Sequence, residues 1–338
     1  MRIITIVAPN IKTGGGKELL EYLLEYIYES YPDVLVNVYI DKSLNIADTH
    51  TRKVFITSSV INKTVLFFKS FKNVIYFGNL PPMIKAENSL VYFHNLYLLM
   101  SLRKLFSNKN SKLINLVKEM IKQFYIKKFV KNVDYVVCQT DAVGQEFKIK
   151  YAYENIKILP FFRTCKDTNT VKKFDYCYVS LAHPHKNHKN FFLALKLLEE
   201  KNLDLSIAVT VETKKKELIQ MIEEINKRGV IKVVNFGLIS KKKVCALYSE
   251  SRCLVFPSIE ESFGLPLLEA VDLGLDVIAS DLGYVYQVIE PSCTFNPNDI
   301  RSIAETIQKH SEGIYSKSQP KIKNSIFEFI ELVLKEVE

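Results

Sequence analysis

No stretch of this sequence approaches the roughly 20 uninterrupted apolar residues that a membrane-spanning helix needs. The opening run MRIITIVAPN is interrupted at Pro9 and Asn10, too soon for a secretory leader. The six cysteines (Cys138, Cys165, Cys177, Cys245, Cys253 and Cys293) include no C-x-x-C pair. Cys138, Cys177 and Cys253 lie in apolar, strand-like runs, where a reduced thiol packs as a small hydrophobe. Neither a disulfide framework nor a structural zinc is expected, and the protein is predicted to be cytoplasmic. Disorder and low complexity are excluded too, since 48% of the 338 residues are hydrophobic and 25% charged. A chain of this length buries a core without staples and divides most simply into two domains.

Acidic residues are scarce in one half only. The formal charge is +9, from 46 Lys and Arg against 37 Asp and Glu. The first 160 residues hold 22 bases and 13 acids, and the remainder holds 24 of each, so the whole excess belongs to the first half. Within Ser101–Lys131 nine bases (Arg103, Lys104, Lys109, Lys112, Lys118, Lys122, Lys127, Lys128 and Lys131) face one acid, Glu119. Leu113, Leu116, Val117, Met120, Ile121 and Phe124 recur there at helical spacing, which predicts a basic amphipathic helix. One reading is a solvated face whose apolar side joins the core. The sharper one is a seat on anionic phospholipid, or on a phosphorylated acceptor, through the Lys112–Lys131 region, each lysine adding about 1 kcal/mol. Nucleic acid is not the expected partner, because the aromatics are not interleaved with the bases as a stacking platform.

Short β-branched runs alternate with longer helical patterns over nearly the whole chain. Strands are predicted at 3–8, 35–40, 54–57, 74–77, 90–93, 135–138 and 156–159, then at 176–180, 205–210, 230–236, 253–256, 277–279 and 293–295. Helices are predicted at 17–30, 112–130, 141–150, 188–201, 214–227, 241–249, 266–272 and 299–308, with a last amphipathic helix at 324–337. This alternation means parallel sheets covered on both faces: an α/β protein of two doubly wound, Rossmann-like domains. The expected boundaries are 1–162, a polar linker at 163–173, 174–320, and a C-terminal helix at 321–338. Ligands of such sheets lie beyond the carboxyl ends of the strands, so polar and glycine-rich segments just after a strand are the site candidates.

Four segments meet that condition. Thr13-Gly14-Gly15-Gly16-Lys17 follows the first strand; it matches neither the P-loop nor the dinucleotide fingerprint, and a tight turn or an anion cradle both fit it. His94-Asn95 follows the run ending at Phe93, where a histidine can give or accept a hydrogen bond or simply serve the structure. His183-Pro184-His185-Lys186-Asn187-His188 places a lysine at the mouth of a helix. No Asp, Glu or Cys stands among these histidines to complete a metal-ligand set, so phosphate is favoured over metal. The fourth, Phe256–Ala270, leaves an apolar strand, turns, and enters a helix with Pro266 near its first position. The amides of Phe263, Gly264 and Leu265 then stand at a helix N-terminus suited to a phosphate, bracketed by Glu261 and Glu269. A diphosphate flanked by two polyhydroxylated rings has that layout.

On these residues the sequence resembles the retaining, nucleotide-sugar-dependent glycosyltransferases of family 4, with the GT-B architecture of two Rossmann-like domains facing each other across a cleft. PSIEESFGLPLLEA (Pro257–Ala270) with its Glu-x7-Glu spacing, PHKNH (Pro184–His188), the glycine triplet and His94-Asn95 carry the resemblance. It implies that Glu269 holds the nucleotide ribose. Glu261, Ser262 and the amides of Phe263, Gly264 and Leu265 would hold the donor sugar and diphosphate. Lys186 would neutralise the leaving diphosphate, Gly14, Gly15 and Gly16 would close over it, and His94 would contact the sugar beside the reacting carbon. Glu261, Lys186 and His94 are thus the catalytic candidates. The implied activity is metal-independent transfer with retention from a nucleotide sugar, uridine-linked first and guanosine-linked second. The acceptor would be a glycan or lipid-linked glycan of bacterial surface polysaccharide, met at the inner face of the cytoplasmic membrane. No cofactor is implied. The sequence departs from the family at Ser180-Leu181-Ala182, where an arginine is frequent, at Asp276, where proline is usual, and at Gln287, where glutamate is common. An epimerase or sugar phosphorylase on the same fold, or a nucleotide-sugar-binding protein without catalysis, are the other readings.

Overall fold

The computed structural model describes residues 2–46, 49, 52–57, 60–101, 113–165 and 170–334. The chain forms two compact units, residues 1–162 with 323–338, and residues 163–322.

The first unit is built on strands β1 (Arg2–Ala8), β2 (Val34–Asp41), β3 (Arg52–Thr57), β4 (Lys72–Phe77), β5 (Glu87–Phe93), β6 (Tyr135–Cys138) and β7 (Ile156–Ile158). They pair in the order β3-β2-β1-β4-β5-β6-β7, every pair parallel. β5 shows five consecutive buried residues, as a strand with helices on both faces must. Tyr76, Phe77, Tyr92, Phe93 and Phe147 are its largest fully buried side chains, with Phe161. The helix Gly14–Ser30 begins three residues earlier than predicted, so the glycine triplet forms its first turn rather than a loop before it. Gly14, at the start of that turn, takes φ +70, a left-handed conformation that glycine adopts without penalty. A short helix Val60–Phe67, absent from the prediction, connects β3 to β4.

The C-terminal helix Ile326–Leu334 belongs to this first unit. Phe329 packs 4.8 Å from Phe161 and 5.5 Å from Tyr92, ring centre to ring centre. Tyr31 donates a hydrogen bond to Glu331 at 3.0 Å, and the Ser325 amide donates to Pro160 at 2.7 Å.

The second unit repeats the plan with β8 (Phe174–Tyr178), β9 (Leu205–Val209), β10 (Ile231–Asn235), β11 (Ser251–Phe256), β12 (Asp276–Ser280) and β14 (Cys293–Phe295). Its parallel order is β10-β9-β8-β11-β12-β14. Phe191, Phe192, Leu195 and Leu198 of the helix His188–Glu200 are buried against it. A separate two-residue antiparallel pair, β13 (Ile289–Glu290) with β15 (Gln319–Pro320), was not predicted. The GT-B expectation of two doubly wound parallel-sheet domains is therefore met.

The cysteine expectation needs correction. Cys165 and Cys245 form a disulfide within the second unit, their Cα atoms 5.5 Å apart. Eighty residues separate them in sequence; only the fold lays the start of the linker against the helix Lys241–Ser249. Cys138, Cys177 and Cys253 are free and buried, as predicted, and Cys293 is free and half-buried.

Candidate functional site

A doubly wound sheet has one place where successive crossovers leave in opposite directions, and loops there splay apart to leave a crevice. In the second unit it lies between β8 and β11, neighbours in the sheet but far apart in the chain. The loops that leave these two strands are the PHKNH segment and the PSIEESFG segment. They are tied together: the Ile259 amide donates to the His185 carbonyl at 2.8 Å, and the Ser258 hydroxyl oxygen lies 3.2 Å from the same oxygen.

The tie brings Lys186 and Glu261 into contact. The Lys186 ammonium forms an ion pair with the Glu261 carboxylate, both side chains mostly buried. The Ser258 hydroxyl donates to the same carboxylate at 2.5 Å. Tyr178 donates through its hydroxyl to the Lys186 carbonyl, Tyr284 donates to the Ser258 carbonyl at 2.8 Å, and the ammonium lies 5.4 Å from the Phe256 ring centre. The pair is thus held by backbone and aromatic contacts on several sides, a preorganised charge arrangement.

Gly264 ends the loop at φ +78 and precedes the helix Leu265–Asp272. The backbone there favours glycine, and an added Cβ would stand 2.9 Å from Leu267 Cδ1, which would have to move. Pro266 occupies the first turn as predicted. An α-helix leaves its first N–H groups without intrahelical acceptors, which makes the Gly264–Leu265 end a place for an anion. Ser262 is half-buried and Phe263 is buried.

Glu269 lies one turn into the same helix and is 7% exposed. Its carboxylate pairs with the ammonium of Lys241, the first residue of the helix Lys241–Ser249. Sequence reading did not single out Lys241; three consecutive lysines read as a solvated helix start, and only the fold turns one of them inward. Each of the two expected carboxylates therefore carries its own lysine. Another residue missed is Glu212, which follows β9 and accepts the Ala182 amide at 3.0 Å, pinning the loop that carries Lys186.

The histidines of the loop divide by burial. His183 and His185 stack nearly parallel, 5.7 Å apart, and burial, then the Lys186 charge, lowers the His185 pKa. His188 is fully buried, 4.4 Å from the Tyr178 ring, with both ring nitrogens lacking a hydrogen-bond partner; burial pushes its pKa down to about 3. Among the described residues no group of three His, Cys, Asp or Glu is placed to hold a metal ion.

In the first unit the glycine triplet and His94 meet. A Cβ on Gly16 would come within 3.3 Å of both His94 Nε2 and Ile11 Cδ1. The His94 amide donates to Asn79 Oδ1 at 2.7 Å, its ring lies beside the stacked Phe77 and Tyr92 rings, 5.9 and 5.7 Å from their centres, and burial pushes its pKa down to about 4. His94 is therefore neutral at pH 7. Gly14 and Gly15 are exposed.

Two departures from the family pattern resolve differently. Asp276 opens β12 at the amino end of the sheet, where Ser292 donates to it at 3.2 Å and Lys317 stands 3.7 Å away. It lines a cavity of about 650 Å³ with Asp175, Arg252, His310 and Tyr315, at the opposite end of the strands from the Lys186–Glu261 pair. Gln287 is half-buried on the short helix Gly283–Val288.

Two Rossmann-like units of the GT-B fold, the second with a lysine–glutamate pair at its switch point, define a class. Residues 165–324 match the family Glycosyl transferases group 1. The chain is similar to the serotype-specific mannosyltransferase WbdA of Escherichia coli, 28% identical over 181 residues, which are 52% of this chain and 22% of that protein. It is also similar to the O-antigen chain mannosyltransferase RfbU of Salmonella typhimurium, 26% identical over 191 residues, 55% of this chain and 53% of the relative. The chain thus spans about a fifth of the first relative and about half of the second. Among solved structures, the sucrose-phosphate synthase of Thermosynechococcus elongatus shares the fold with a TM-score of 0.66 at 14% identity, over 92% of this chain and 90% of that one.

Proposed function

We propose that this protein is a retaining, metal-independent glycosyltransferase that moves a sugar from a nucleotide-diphosphate donor to a glycan or lipid-linked glycan of bacterial surface polysaccharide. The observation that carries the reading is the Lys186–Glu261 pair, held at the switch point beside the helix end that Gly264 opens. The difficult moment of such a transfer is the departure of the nucleoside diphosphate. In this reading the amides of Phe263, Gly264 and Leu265 and the Lys186 ammonium face the developing negative charge, already oriented, so little reorganisation is needed. Glu261 then takes hydroxyls of the donor sugar and Glu269 those of the ribose. The first unit carries candidates of its own, neutral His94 and the Gly14–Gly16 turn. The names of the relatives make mannose a first sugar to test, with uridine and guanosine as the first nucleotides. The acceptor would be met at the inner face of the cytoplasmic membrane.

The test is transfer from a panel of labelled nucleotide sugars. Lys186→Ala and Glu269→Ala should each lower kcat/KM at least tenfold, about 1.4 kcal/mol of transition-state stabilisation. Transfer within about twofold of wild type in both variants would remove the reading. Donor conversion without acceptor would identify an epimerase instead, and a requirement for free phosphate a phosphorylase.

A further inference from the structure

The helix Leu113–Phe129 carries part of its apolar surface on the side away from the core. Leu116, Gln123 and Ile126 are buried and define the inward face, continued by Val130. At 100° per residue, Val117, Ile121 and Phe124 fall on the opposite side. They are 46%, 63% and 71% exposed, so the reading in which the apolar stripe joins the core holds for Leu116 but not for these three residues. Steps of four and three residues stack them in one line, and exposed Lys128 is next along it. Lys118 flanks the line on one side and Lys127 on the other, and Lys131 follows the helix; all three are exposed. Glu119 is the acid of this segment, and Lys122 neutralises it at 2.6 Å. Arg103, Lys104, Lys109 and Lys112 lie outside the described residues.

An exposed apolar line flanked by cations marks an interaction surface, and its charge selects the occupant. A second copy placed face to face would set lysine against lysine, which costs. An anionic phospholipid surface satisfies both features: apolar side chains enter the acyl boundary while lysine stems lie along it with their ammonium groups at the phosphates. We propose that the outward face of this helix seats the protein on such a surface, with Val117, Ile121 and Phe124 inserted and Lys118, Lys127, Lys128 and Lys131 on the headgroups. This deepens the lipid-linked acceptor reading, but its test needs no donor sugar, so either can fail alone.

The chain contains no tryptophan, so Phe124→Trp introduces a single fluorescent reporter at the centre of the surface. With vesicles of phosphatidylglycerol and phosphatidylcholine, its emission should shift to the blue and be quenched by brominated acyl chains. With phosphatidylcholine alone neither should occur. In cosedimentation of the whole chain, Val117→Ser with Ile121→Ser and Phe124→Ser should weaken binding at least about tenfold, as should Lys118→Gln with Lys127→Gln and Lys128→Gln. All six positions are exposed, and unchanged circular dichroism checks the fold. A wild-type chain that stays in the supernatant overturns the proposal. So does cosedimentation with an unshifted tryptophan, or an apolar variant that binds as wild type does. A concentration-dependent dimer that the serine variant dissolves, with vesicle binding intact, also overturns it in favour of self-association.

Discussion

Lys241 begins its helix at the end where the macrodipole disfavours a cation by about 0.3–1 kcal/mol, and two more lysines follow it. What offsets that cost is the Glu269 carboxylate. Removing the lysine alone leaves a nearly buried carboxylate without that ammonium, which costs more than the pair itself contributes. Lys241→Met should destabilise the second unit by roughly 1–3 kcal/mol, and Glu269→Gln in the same chain should recover most of the loss. Urea unfolding of the four chains of the cycle measures this, and strictly additive losses would show that the two side chains act independently. Glu269 was legible as a site candidate because a helix entry with a fixed Glu spacing is a local pattern. Lys241 was not, since its partner is 28 residues away in sequence.

At the scale of an element, the helix His188–Glu200 starts on a histidine whose ring is buried without hydrogen-bond partners. Its pKa lies near 3 in the fold because burial disfavours the imidazolium, against about 6.5 in an unfolded chain. Between these values the unfolded chain binds a proton that the folded one refuses. The stability contributed is therefore complete above about pH 6.5 and falls as pH drops toward 3, by about 1.4 kcal/mol per pH unit. His94, held near 4 by burial, has the same sign in the first unit. The unfolding midpoint of the second unit should drop between about pH 7 and pH 5, and His188→Phe should flatten that drop. An equally steep fall in the variant would assign it to other groups. Helix and strand positions were largely legible from period and β-branching, with boundaries shifted by a few residues. The burial of His188 was not, because a PHKNH segment reads the same whether its last histidine faces solvent or Tyr178.

For the molecule as a whole, two distant closures matter. The Ile326–Leu334 helix returns to the first unit after the chain has built the second, and the Cys165–Cys245 bond closes a long loop inside the second. A cross-link of that span contributes about 2–4 kcal/mol, in the chain-entropy account by restricting the unfolded ensemble. Reductant should lower the thermal midpoint of the second unit by several degrees. Cys245→Ser should start from the lowered midpoint and ignore reductant. A variant as stable as the oxidised wild type would show that the bond contributes nothing. Neither closure was readable beforehand, for both join residues that nothing in their own neighbourhoods connects.

Local pattern alone determined the two doubly wound domains, the loops that leave their strands and the residue types those loops carry, because period, turn chemistry and helix entry act over a few residues. Tertiary structure decided which lysine meets which glutamate, which cysteines pair, which histidine is desolvated and which side of the basic helix is left outside. Those outcomes depend on burial and on charges brought together across tens of residues, and both exist only once the sheets have formed.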